Sequence, residues 1–330
     1  MSRGAILSEA DIIQGYLAPL ASEFAGAHGL RDDAASLSPP AGMDLVATMD
    51  AIAAGVHFFG DDPAADVGWK ALAVNVSDLV AKGALPYAYL MSLAFPETPT
   101  LEWLEGFAAG LGEAQSAFHL SLIGGDTDRR PGPLSITITA LGLVPRGGLV
   151  PRGGAKPGDR ILVSGTLGDA ALGLRLRSRD FPWTMAQEQH AHLSARYLRP
   201  QPRLGLVPLL RAYASASMDI SDGLMKDLGR MAALSGVGAR VQVEALPVSS
   251  AARSCLAQDP DVVAIIATGG DDYEVLATVP ARVAGEFKVA AADAGVQLTD
   301  IGFIEVGSGV VLADAGGRAV ALPRVGYDHF

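Results

Sequence analysis

A chain of 330 residues is longer than one hydrophobic core usually serves, so two domains of roughly 150 residues each are expected. With 49% hydrophobic and only 18% charged residues, it has the material for two packed cores and not for extended disorder. A formal net charge of −11, with no basic run to interrupt it, argues against nucleic acid and anionic membrane as partners and leaves carboxylates to spare for divalent cations.

The lone cysteine, Cys255, rules out an intramolecular disulfide and a thiolate metal cluster. The opening residues lack a long apolar core followed by a small-residue cleavage site, and no apolar run approaches ~18 residues. A cytoplasmic location is therefore expected. Ser8 ahead of Asp11 reads as a capping box that starts a short helix.

Residues 67–84 place Val67, Leu72, Val76, Leu79 and Val80 near one helical face, with Gly83 as the stop and Asn75 and Asp78 three apart on a neighbouring face. LEWLEGFAAGLGEAQSAF predicts a second helix, and LSITITALGLV (134–144) a strand from its β-branched alternation. PRGGLVPRGGAKPGD (145–159) is the densest Pro/Gly stretch and predicts a boundary between domains at 1–148 and 149–330. LVPRGG occurs there twice in tandem, a repeat too short for a solenoid, and it is read as a connector.

DRILVSGTLGDAALGL predicts a strand, a Gly turn and a helix, an arrangement that often aims backbone N–H groups at an anion. SDGLMKDLGRMAALSG predicts a helix capped by Ser221 or Asp222 and ended before Gly236. Alternating helix and strand patterns predict mixed α and β layers.

Carboxylates recur at the ends of apolar or strand-like runs beside Thr, Ser or Gly: RDDAA, VATMD, NVSD, IGGDTD and MDISDG. Isolated carboxylates are costly to bury unpaired, and Mg²⁺ takes oxygen ligands while keeping waters and bridging to phosphates. Simpler readings stand beside this one. Asp222 suits an N-cap, Asp78 pairs naturally with Lys82, GGD at 124–126 makes a turn, His57 is an ordinary strand or loop residue, and Arg152 is a solvated connector residue. The Walker P-loop, the Rossmann fingerprint, H-E-x-x-H and the G-x-S-x-G elbow are all missing.

In order along the chain, DDAA, TMD, GVHF, KALAVNVSDLVAKGALP, LIGGDT, RGGAKPGD, SGTLGDAALGL, MDISDGLMKDL, GGDDYE and GYDHF resemble the thiamine-monophosphate kinase family, of the superfamily that includes aminoimidazole ribonucleotide synthetase. The resemblance implies an N-terminal α/β domain that binds ATP and Mg²⁺, its sheet pairing across a homodimer, and a C-terminal α+β domain. It implies transfer of the γ-phosphoryl group of ATP to thiamine monophosphate, with several Mg²⁺ ions. Carried over by motif, Asp33, Thr48, Asp50, Asp78, Asp126, Asp219 and Asp222 resemble the metal set, with Asp78, Asp126 and Asp222 central to catalysis. Gly125, Asp126, Arg152 and Ser221 resemble nucleotide contacts, and His57 and Asp271 resemble substrate contacts.

Four positions depart from the family pattern: Arg31 for a glycine beside the metal ligands, Met49 for a hydroxyl residue, Asp271 for Glu, and Arg324 for an aromatic. Other enzymes of the superfamily and a non-catalytic nucleotide-binding homologue are the rival expectations. Cys255 stands neither near the N-terminus, where a selenophosphate synthetase carries its reactive residue, nor at the C-terminus, as in the hydrogenase maturation member.

Overall fold

A computed structural model describes residues 8–328. His329 and Phe330, the end of the GYDHF motif, lie outside the described residues. The chain divides into two compact units, one running to Leu79 and including Leu85–Gly147, the other made of Val80–Ala84 and the chain from Gly148 onward. Among the described residues, no helix is long and apolar enough to cross a membrane.

The first unit opens with α1 (Glu9–Ile12), whose N-cap Ser8 accepts from Asp11 N and forms the expected capping box. After short helical turns to Leu30 come β1 (Met43–Ala53), α2 (Ala64–Ala81), β2 (Leu85–Phe95), α3 (Leu101–Phe118), β3 (Ser121–Arg129) and β4 (Ser135–Pro145). The strands form one mixed sheet in the order β1-β4-β2-β3, antiparallel except for the β2–β3 pair. The 3.6-residue repeat of α2 buries Leu72, Val76, Leu79 and Val80 completely. The alternation in β4 buries Ile136, Ile138 and Ala140.

The second unit begins after an irregular connector, with β5 (Asp159–Ser164), α4 (Asp169–Arg177), α5 (Gln187–Leu198), α6 (Val207–Tyr213) and β6 (Ala216–Ile220). It continues with α7 (Leu224–Ser235), β7 (Gly238–Gln242), α8 (Ser250–Gln258), α9 (Val262–Thr268), β8 (Glu274–Pro280), α10 (Ala281–Asp293), β9 (Leu298–Glu305) and β10 (Gly309–Ala313). Six strands in the order β10-β7-β9-β5-β8-β6 make its sheet, with only the β10–β7 pair parallel. Helices packed on this sheet close a core through Leu172, Leu193, Leu224, Leu228, Met231 and Ile266. The two sheets with their helices bear out the α/β plus α+β fold class.

Two local expectations are corrected. Residues 124–126 are not a turn but the middle of β3. The α7 N-cap is Gly223, with φ +112°, in place of Ser221 or Asp222. The predicted stop is in place: Gly236 ends α7 in the left-handed region at φ +68°.

Candidate active site

β1 is an edge strand, and its outward backbone groups need partners. Asn75 supplies one: its Oδ1 accepts the Asp50 N–H at 2.9 Å while its Nδ2 donates to the Ala71 carbonyl at 3.0 Å. One turn further along α2, Asp78 Oδ2 accepts from Thr48 Oγ1 at 2.6 Å. Strand alternation thus sets Thr48 and Asp50 on one face of β1 and Met49 on the other.

Just past β1, His57 Nδ1 accepts the Ala53 N–H at 3.1 Å, which puts the proton of the neutral ring on Nε2. The His57 carbonyl accepts from the buried ammonium of Lys70 at 3.0 Å. The imidazole is therefore fixed in place and in tautomer.

On the Met49 face lies a cavity of about 680 Å³ whose lining includes Asp33, Met49, Gly125, Asp126 and Thr139. Gly125 is required there: a Cβ would stand 1.8 Å from the Met91 carbonyl oxygen, so only glycine lets β3 lie this close to β2. Asp33 and Asp126 are exposed, and neither carboxylate has a partner among the described residues. Sheet register aligns Asp126 with Ser92, Thr137 and Ala51, so Asp126 faces away from Thr48 and Asp50.

Ahead of Asp33 the backbone is left-handed at His28, Gly29 and Leu30, with φ of 51°, 63° and 54°. Arg31 itself has φ −113°, so a side chain in place of the usual glycine costs no backbone strain; its Nε lies 3.5 Å from Gln14 Oε1.

In the second unit, Asp219 is buried near the end of β6, and Ser221 and Asp222 follow in the loop to α7. The buried carboxylate of Asp227 reaches back to accept both the Ser221 and Asp222 N–H groups, at 3.1 and 2.9 Å. Burial pushes Asp227 up to about 6, against the Asp222 N–H bond and the Arg230 charge. Arg230 lies 2.6 Å and Lys226 3.5 Å from the Asp222 carboxylate.

The loop before β8 runs alongside. Asp271 N donates to the Ser221 carbonyl at 2.9 Å and Tyr273 N to the Ile220 carbonyl at 2.8 Å. Asp271 (φ 69°) and Tyr273 (φ 49°) are both left-handed, and for a tyrosine that conformation is strained. The two backbone bonds hold Asp271 beside Ser221 and Asp222. Arg152 sits exposed on the connector between β4 and β5.

The anion expected at the start of α4 is the chain's own. Gly168 N donates to the buried carboxylate of Asp272 at 2.8 Å, and Asp169 accepts from Thr166 at 2.6 Å, Ser249 at 2.5 Å and His192 at 3.0 Å.

The AIR synthase related protein N-terminal domain family matches residues 31–144, and its C-terminal domain counterpart matches 156–314. The thiamine-monophosphate kinase of Caulobacter vibrioides is 42% identical over 325 residues, 98% of this chain and 91% of the relative. This chain belongs to the thiamine-monophosphate kinase family. The Escherichia coli K12 thiamine-monophosphate kinase is 39% identical over 92% of this chain and 91% of its own. The crystal structure of thiamine-monophosphate kinase from Stenotrophomonas maltophilia superposes with a TM-score of 0.81 at 42% identity, covering 88% of this chain and 91% of that one. AaThiL complexed with AMPPCP and TMP gives 0.78 at 34% identity, with 91% of each chain covered.

Among the described residues, no three His, Cys, Asp or Glu side chains stand together closely enough to hold a metal ion. The donor chemistry nevertheless fits Mg²⁺: Asp carboxylates and the Thr48 hydroxyl are hard oxygens, and Asp33 and Asp126 are exposed carboxylates not engaged with other described side chains. Sequence reading missed Asp227, which organises the Ser221–Asp222 loop, and gave Asn75 no role. A buried Asn on the apolar helix carried a signal for Asn75; nothing local in the sequence marks the backward reach of Asp227.

Proposed function

We propose that this chain transfers the γ-phosphoryl group of ATP to thiamine monophosphate, giving thiamine diphosphate and ADP, with Mg²⁺ required. The observation that carries the reading is its near full-length relationship to thiamine-monophosphate kinases, together with a structural relative complexed with AMPPCP and TMP. The bond from the γ-phosphorus to the β–γ bridging oxygen breaks, and a bond to an acceptor phosphate oxygen forms. That acceptor is anionic near neutral pH, so no protein base is needed to create the nucleophile.

Catalysis then rests on position and charge. Asp33 and Asp126 hold the nucleotide's cation in the cavity, where the glycine backbone at Gly125 admits the phosphates. Thr48, Asp50 and Asp78 form a second oxygen cluster at the β1–α2 corner, and Asp219 and Asp222 a third. Mg²⁺ held by these carboxylates would supply positive charge against the repulsion between the two polyanions. Arg152 and Ser221 contact the nucleotide; His57, through its fixed Nε2–H, and Asp271 contact the acceptor.

The working form in this reading is a cytoplasmic homodimer. Leu45, Met49 and Leu90 are 43%, 65% and 38% exposed on the sheet face that carries Asp126, an apolar surface suited to a second copy. Incubation with ATP, Mg²⁺ and thiamine monophosphate tests the activity: thiamine diphosphate and ADP are expected in equal amounts, and nucleotide binding without thiamine diphosphate would mark a non-catalytic homologue.

A further inference from the structure

Ser235 is the last residue of α7, and a hydroxyl there commonly does no more than bond its own helix. It does so here: Oγ donates to the Met231 carbonyl at 2.7 Å. The same oxygen also accepts from two successive amides of the connector, Gly154 N at 3.1 Å and Ala155 N at 3.2 Å. A hydroxyl has one proton to donate and two acceptor positions, so Ser235 is fully engaged. Other bonds hold the stretch just before. Val150 N donates to the Lys82 carbonyl at 3.1 Å, and Ser217 N, on edge strand β6, donates to the Pro151 carbonyl at 2.9 Å. Gly154, at φ +133°, lies so close to the chain entering β6 that a Cβ would stand 2.7 Å from the Ser215 carbonyl oxygen. Arg152 is therefore bracketed by fixed backbone on both sides, while its exposed guanidinium has no partner among the described residues. The tandem repeat supplies a contrast: in the first LVPRGG the corresponding Arg146 lies 3.8 Å from the Asp44 carboxylate, which also accepts Gly147 N at 2.8 Å.

We infer that Ser235 is a positioning residue that clamps the Gly154–Ala155 backbone to the end of α7 and so fixes Arg152 for its contact with a nucleotide phosphate. The inference rests on the kinase reading above for the role of Arg152. The clamp itself is a property of the second unit. Arginine makes directional bonds to phosphate oxygens, so a backbone already held in place lowers the ordering cost of that contact. Without the Ser235 hydroxyl the buried Ala155 N–H loses its acceptor, and the segment that carries Arg152 is released from α7.

The test measures AMPPCP affinity with Mg²⁺ in wild type, Ser235→Ala, Ser235→Thr, Arg152→Met and the double variant of Ser235→Ala with Arg152→Met. Ser235→Ala is expected to weaken binding about tenfold, and Ser235→Thr, which keeps the hydroxyl, to stay within about twofold of wild type. In the Arg152→Met background Ser235→Ala is expected to add less than about twofold, because the clamp acts through that arginine. Gly154→Ala, which leaves α7 intact and blocks the approach to Ser215, is expected to repeat the tenfold loss. In hydrogen exchange the Gly154 and Ala155 amides are expected to be protected in wild type and to exchange about a hundredfold faster in Ser235→Ala. Unchanged amides would overturn the clamp. Faster exchange with unchanged affinity, or a tenfold loss from Ser235→Ala in both backgrounds, would overturn the positioning role while the kinase reading stands. If wild type does not bind AMPPCP, the nucleotide reading fails and the positioning role with it, and the two amides still decide whether Ser235 clamps the connector.

Discussion

Asp33 and Asp126 in the first unit and Asp169 and Glu274 in the second are treated in opposite ways. Asp33 and Asp126 stand exposed at one cavity with no partner among the described side chains, whereas Asp169 and Glu274 are wholly buried and saturated. Glu274 accepts from Arg203 Nε at 2.7 Å, Arg196 at 2.8 Å and Ser164 at 2.5 Å. A buried acid must be paired to be tolerated, and the Asp169 and Glu274 carboxylates are each taken up by three neighbouring side chains. An exposed acid without a partner costs the fold little and keeps its charge for a cation.

The largest expected effect is at the exposed end of that contrast. Asp126→Asn should lower kcat/KM for phosphoryl transfer about a thousandfold or more, because it deletes ligand charge at nearly constant volume, while the melting temperature moves by no more than about 1 °C. Glu274→Gln should do the reverse. It leaves two arginines facing a neutral amide and should cost about 3–5 kcal/mol in denaturant titrations, with kcat of the folded fraction preserved.

Asp169 sharpens the buried end through pH. Burial pushes its carboxyl up, but the bonds from His192, Ser249 and Thr166 and the charge of His192 outweigh burial and hold it below the ordinary aspartate value of 3.8. A depressed acid stabilises the fold above its unfolded value, and that contribution disappears as the pH falls through the folded one. Asp169→Asn should therefore cost about 2 kcal/mol at neutral pH, with the gap from wild type narrowing below about pH 4 in denaturant titrations.

The smallest effect concerns Cys255, whose thiol is pushed up to about 11 by burial and by the Asp169 charge. Ellman's reagent at pH 8 should leave it unmodified in the native protein and titrate one thiol on denaturation.

Much of the local structure was legible in the sequence. The repeat in α2, the alternation in β4, the capping box at Ser8 and the Gly236 stop each arise from neighbours within a few residues. What failed depended on distant partners. GGD at 124–126 has turn chemistry, yet pairing with β2 draws it into a strand, and the glycines serve close approach instead. The six-stranded order joins strands far apart in the chain, which no short-range pattern encodes. The acidic segments were visible as a pattern, but their individual roles came from family resemblance. That resemblance carries no sign that Asp126 and Asp50 face opposite sides of one sheet.

The most direct measurement is calorimetric titration of AMPPCP into wild type and Asp126→Asn, each with and without Mg²⁺. Binding to wild type should require Mg²⁺, and Asp126→Asn should weaken it about a hundredfold. Equal affinity with and without the cation, or in both proteins, would contradict the assignment of the exposed carboxylates to metal-assisted nucleotide binding.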